Sequence, residues 1–132
     1  MLLYHFTAKV FLDSIKKAGL NQGAVLLNDK PIQFAQGYIW LTKNPDFDQS
    51  WSVGTGRLPY KRNEVRFDVN IPKSHERDLF TFSQLNLLLH FKNGVHEILG
   101  SQGDPENWFV YEGKIPRSWL KKIKHNPDHC SR

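Results

Sequence analysis

The segment Glu64-Val65-Arg66-Phe67-Asp68-Val69-Asn70-Ile71 alternates polar and apolar residues almost without a break. A period of two is the signature of a strand with one face in water and one in a core. Val65, Phe67, Val69 and Ile71 are therefore expected to face inward, and Pro72 to end the strand. A half-buried strand needs neighbours and a covering layer, which commits the chain to a sheet with something packed on it.

The opening residues supply both. Leu2 to Thr7 reads as a short strand. Phe11, Leu12, Ile15 and Ala18 then recur at helical spacing, with Thr7 as the expected N-cap and Gly19 as the stop. Ala24 to Leu27 is a candidate short strand, and Asn28 to Gln36, with Pro31, reads as loop. Gly37 opens the β-branched and aromatic run Tyr38-Ile39-Trp40-Leu41-Thr42, a further strand. Asn44-Pro45-Asp46 signals a turn, Phe47 to Trp51 a helical turn, and Ser52 to Asn63 an exposed loop. Ser83 is the expected cap of a helix carrying Leu85, Leu88, Leu89 and Phe91. Gly94 to Asn107 reads as loop, Trp108 to Tyr111 as a late strand, and Arg117 to Lys124, after Ile115-Pro116, as a short C-terminal helix. These elements do not alternate as a βαβ series, so the expected class is α+β.

With 132 residues, 39% of them hydrophobic, the chain is long enough to bury one core without staples. A single cysteine, Cys130, rules out an internal disulfide framework and a cysteine-rich metal site. No apolar run approaches the length of a membrane span, and the first residues lack the basic lead of a signal peptide, so no membrane association is expected and a cytoplasmic location is. The formal charge of +5 suits an anionic partner without demanding one. The densest basic clusters, Lys61-Arg62 and Lys121-Lys122-Ile123-Lys124, read first as solvated surface, the second as a helix end. His90, His96 and Glu97 match no metal-ligand spacing, so no metal site is expected.

The residues left for chemistry are a histidine, aromatics and a late carboxylate. His5 lies inside an apolar strand, where a satisfied core histidine is the plain alternative to a group holding a ligand hydroxyl. Tyr4-His5-Phe6-Thr7, a helix, and Ala18-Gly19-Leu20 together resemble the first motif of the ADP-ribosyltransferase superfamily. That group includes poly-ADP-ribose polymerase-type enzymes, DNA-modifying toxins and RNA 2′-phosphotransferases. Gly37 to Thr42 followed by Ser50-Trp51 is similar to the group's glycine-led aromatic strand and the aromatic-bearing helix after it. Ile115-Pro116 resembles the tail that follows its last motif strand.

The resemblance implies a split antiparallel sheet with flanking short helices. With no linker or repeat to mark a boundary, residues 1–125 are expected as one such domain, and 126–132 as a loose C-terminal tail. It implies NAD as substrate, with His5 and Thr7 on the ribose, the Phe6 backbone on the carboxamide, Trp51 under the nicotinamide, and Tyr38 in the same binding set. His5 is also carried over as catalytic, with Glu106 as the preferred catalytic carboxylate and Glu112 its rival. Counting back from Pro116, the glutamate's place falls near Trp108, between the two. The implied activity is mono-ADP-ribosyl transfer to a nucleic-acid or protein acceptor. A transferase fold that binds a nucleotide or a protein without chemistry, an RNA 2′-phosphotransferase, and a small interaction protein are the alternatives. Arg57, Lys61 and Arg62 would then cover the pyrophosphate or meet the target, or be simply solvated. Trp40, Trp108 and Trp119 are expected as core residues without function.

Overall fold

A computed structural model describes residues 1–47, 63–101 and 103–127. Six strands form one antiparallel sheet: β1 (Leu2–Thr7), β4 (Tyr38–Thr42), β5 (Val65–Asn70), β6 (Leu79–Thr81), β7 (Trp108–Glu112) and β8 (Leu120–His125). Their order is β6-β7-β4-β1-β5-β8. A separate hairpin pairs β2 (Ala24–Asp29) with β3 (Ile32–Gln36). Among the described residues three short α-helices flank these sheets: α1 (Leu12–Ala18), α2 (Phe82–Leu88) and α3 (Val95–Gly100). The α+β class and the antiparallel sheet are as expected. Among the described residues no helix is long and apolar enough to cross a membrane.

The alternating segment behaves as its period dictates. Val65, Phe67, Val69 and Ile71 are each fully buried. Cross-strand partners share a face of a sheet, so Leu3 opposite Val69, and Ile39 opposite Tyr111, join them in one core under α1 with Ile15, Leu20 and Ile115. On the other face Trp108, Val110, Phe82, Leu85 and Val25 form a second core beneath α2 and β2. The sheet is thus covered on both sides.

Several expectations need correcting. Thr7 does not cap α1: it is still in β1, a 3-10 turn at Lys9–Phe11 intervenes, and the Phe11 N-cap has no side-chain bond. Ser83 is not the cap of α2. Thr81 is, in a reciprocal box where its hydroxyl accepts from the Gln84 amide and the Gln84 side chain accepts from the Thr81 amide. The stretch expected as loop over Asn28 to Gln36 is the end of β2 and all of β3, because Lys30 and Pro31 sit at the hairpin turn and leave the ladder intact on both sides. Gly94, with φ of 71°, turns the chain into α3 inside the other expected loop. The C-terminal segment is a 3-10 turn, Arg117–Trp119, and then an edge strand. Leu120 and Ile123 pair opposite Val69 and Phe67, and that pairing outweighs the helix propensity of the lysines. Asn126 is not loose either. It is buried, its amide donates to the Glu64 carbonyl and its side chain to the Asn63 carbonyl.

Gly19 is where α1 must end. Its φ is 77°, and a Cβ there would lie 2.3 Å from the Ile115 carbonyl oxygen and 2.8 Å from the Arg117 nitrogen. Left-handed strain and overpacking act together, so Gly19→Ala is expected to cost about 2–4 kcal/mol. The midpoint of urea unfolding measures this, and a loss under about 0.5 kcal/mol would contradict the placement of Gly19.

Candidate functional site

β1 and β4 are neighbours in the sheet, yet their ladder consists of the single pair Tyr4 and Thr42. Beyond it, His5, Phe6 and Thr7 remain paired to β5 only, while β4 continues along β7. Strands that part leave backbone groups needing partners. The His5 ring meets one of them: its Nδ1 lies 2.8 Å from the Trp40 carbonyl oxygen. A carbonyl only accepts, so Nδ1 carries the proton and donates. In the neutral ring Nε2 is then an acceptor.

The gap between the strands is part of a cleft of about 580 Å³. His5, Phe6 and Thr7 line it from β1, Trp40, Leu41 and Thr42 from β4, and Trp108 from β7. The β2–β3 hairpin closes one side with Leu26 and Phe34, preceded by Gln22 and Gly23. Two hydrogen bonds tie the base of that hairpin to β4 and the residue before it. The Trp40 indole N–H donates to the Ala24 carbonyl at 3.0 Å, and the Gly37 amide to the Gly23 carbonyl at 3.0 Å. Gly23 has no room for a side chain, since a Cβ would lie 2.2 Å from the Tyr38 carbonyl oxygen. The lining is aromatic with a few polar groups and contains no Asp, Glu, Lys or Arg among the described residues. Such a composition suits a flat, largely neutral ligand portion.

Trp108 is fixed from behind. Its ring stands edge-on to Trp40, with centroids 6.0 Å apart, and its indole N–H donates to Asp104 at 3.3 Å. The other Asp104 oxygen accepts from the side chains of Asn44 at 3.0 Å and Asn107 at 2.9 Å. Burial disfavours the Asp104 charge. The hydrogen bonds from Asn107, Asn44, the backbone and Trp108 together outweigh that and hold its carboxyl below the usual carboxylate range.

The candidates from the sequence divide as follows. His5, Phe6 and Thr7 lie together in the cleft. Tyr38 is half-buried on the cleft-side strand but is not part of the lining. Its hydroxyl donates to the Glu112 carboxylate at 3.0 Å, and burial, that bond and the neighbouring charge raise the phenol above its ordinary range. Glu112 is exposed, as is Glu106 on the 3-10 turn before β7, and neither lines the cleft. Trp51, with Arg57, Lys61 and Arg62, lies outside the described residues. The two ends of that undescribed segment meet near the cleft. The Asn63 side chain donates to the Phe47 carbonyl at 3.0 Å, and Phe47 packs edge-on against Phe6 with centroids 5.5 Å apart.

Trp40 and Trp108 were expected only as core. They pack as core residues and also wall the cleft. Their part in it depends on the register that sets Thr42 opposite Trp108, a long-range pairing with no local signal. His96 is engaged elsewhere, with Nε2 2.9 Å from the Phe82 carbonyl and its ring stacked on Phe82. Among the described residues no group of three or more His, Cys, Asp and Glu could hold a metal ion.

No protein-family model matches the chain, and no curated protein or solved structure does.

Burial pushes the His5 imidazole below its ordinary range, and the bond to the Trp40 carbonyl, which favours the protonated ring, offsets only part of this. The unfolded chain protonates His5 near pH 6.5 while the folded chain resists, so the unfolded state binds more protons below that value. Unfolding free energy should therefore fall as pH drops from about 7 to about 5. In His5→Gln that fall should be smaller. Urea unfolding across this range measures both, and identical slopes would contradict a desolvated His5.

Proposed function

We propose that the cleft between β1 and β4 binds the flat base and ribose of a nucleotide of the NAD type. One observation carries the proposal: a histidine at the parting of two strands, its Nδ1 bonded to backbone, in a cleft walled by Trp40, Trp108 and Phe34. Nε2 is suited to accept from a ribose hydroxyl, and the Thr7 hydroxyl to donate or accept beside it. Aromatic walls favour a planar ring by stacking. The uncharged lining suits the base and sugar better than the pyrophosphate, which would lie toward solvent. The resemblance of Tyr4 to Thr7 and Gly37 to Thr42 to ADP-ribosyltransferase motifs supports the same ligand.

Transfer of ADP-ribose to a nucleic-acid or protein acceptor is the activity the resemblance implies. Breaking the nicotinamide–ribose bond leaves positive charge on the sugar, which a carboxylate beside it stabilises. At the strand position counted back from Pro116 the cleft wall carries Trp108, whose indole N–H is engaged by Asp104. That observation favours nucleotide binding without bond cleavage. The transferase, with Glu106 as its carboxylate, is the second reading.

Calorimetric titration with NAD tests the first proposal. Phe34→Ala, at a half-exposed position of the hairpin, should weaken binding by about 1–3 kcal/mol, by analogy with base–aromatic stacking. His5→Ala should weaken it as well, and Trp51→Ala by a similar amount if that indole also stacks. NAD affinity unchanged in both Phe34→Ala and His5→Ala would remove the cleft as the site. Incubation with labelled NAD and cell lysate separates the two readings. Label transfer that Glu106→Gln abolishes and Glu112→Gln spares would establish the transferase. Binding without transfer would leave the binding module.

A further inference from the structure

β8 is an edge strand, and Lys121, Lys122 and Lys124 along it are exposed. Edge strands often carry lysine to discourage pairing with other chains, and that role alone would account for these three. It does not account for Lys16, on the last turn of α1, or for Arg117, on the 3-10 turn before β8. These two converge with Lys121 and Lys122 on one groove of about 500 Å³. Every charged residue lining it is a cation, and all four are exposed. Among the described residues none of them is in a salt bridge, whereas Arg66 on the neighbouring strand is neutralised by Asp68 at 3.0 Å.

Four exposed cations around one groove are a source of positive potential. Charges from three separate elements suit successive phosphates along a strand better than one phosphate group. Lysine ammonium groups act as point charges, and contacts to phosphate carry no sequence information directly. We propose that this groove binds the phosphate backbone of a nucleic-acid strand without reading its sequence. Phe67 lies in the groove lining and pairs in register with His5 on one side and Ile123 on the other. One strand spacing, about 5 Å, therefore separates Phe67 in the groove from His5 at the split. The proposal is independent of what the cleft holds, because it is tested without NAD.

Fluorescence anisotropy with a labelled single-stranded oligo-dT, titrated between about 50 and 200 mM salt, provides the test. Four phosphate contacts predict a slope of log affinity against log salt of about −3. The variant Lys16→Gln/Lys121→Gln/Lys122→Gln should flatten the slope to about −1 and weaken binding at least about tenfold at the lower salt. The control Lys30→Gln/Lys43→Gln/Lys92→Gln removes the same formal charge at exposed positions outside the groove and should bind nearly as the parent does. Replacing the three groove lysines with arginine should retain binding. A parent slope flatter than about −1, or equal weakening by the control, overturns the proposal.

Discussion

The bond from His5 to the Trp40 carbonyl is the constraint on which the cleft depends. Two antiparallel strands in one sheet ordinarily zip along their length, because each unpaired backbone group is costly once buried. β1 and β4 stop after one pair. A side chain takes over from the ladder there, so the carbonyl is satisfied while the strands diverge. The same bond fixes which ring nitrogen carries the proton, and so makes the other an acceptor. Architecture and chemistry at this point are set by one contact.

The rest of the molecule holds that opening in place. β1 is anchored on its other side by six consecutive pairs with β5, whose inward residues form the centre of the larger core. β4 is anchored by five pairs with β7. Trp40 reaches the hairpin through its indole N–H, and Trp108 is pinned by Asp104, itself held by two asparagines. Arg66 packs behind the lining residue Tyr4: it pairs with Asp68, lies over the Tyr4 ring at 4.8 Å and donates to the Pro45 carbonyl at 3.0 Å. These contacts fix the cleft walls through the chain's own hydrogen bonds and ring packing.

What was legible in the sequence was local. The period of two over Glu64 to Ile71 and the glycine-led run at Tyr38 both specify strands through their immediate neighbours, and both strands are present. Leu120 to His125 could not be read that way. Its lysines favour a helix locally, and only Phe67 and Val69, some fifty residues earlier in the chain, make it a strand. Ser83 and Thr81 are both good capping types, and it is the partner Gln84 that makes Thr81 the cap. Within the site, His5, Phe6 and Thr7 were legible because they are consecutive. Trp40 and Trp108 were not, because their shared wall arises from a register that pairs positions 42 and 108. Tyr38 and Glu112 illustrate the converse: both were candidates from the sequence, and the ladder brings them to each other rather than into the cleft.

The nitrogen resonances of the His5 ring test the central claim most directly. With the ring labelled with nitrogen-15, Nδ1 should be protonated in the free protein, and addition of NAD should move the Nε2 resonance while leaving Nδ1–H bonded to the Trp40 carbonyl. An Nδ1 without its proton, or an Nε2 resonance that saturating NAD leaves unmoved, would contradict the account.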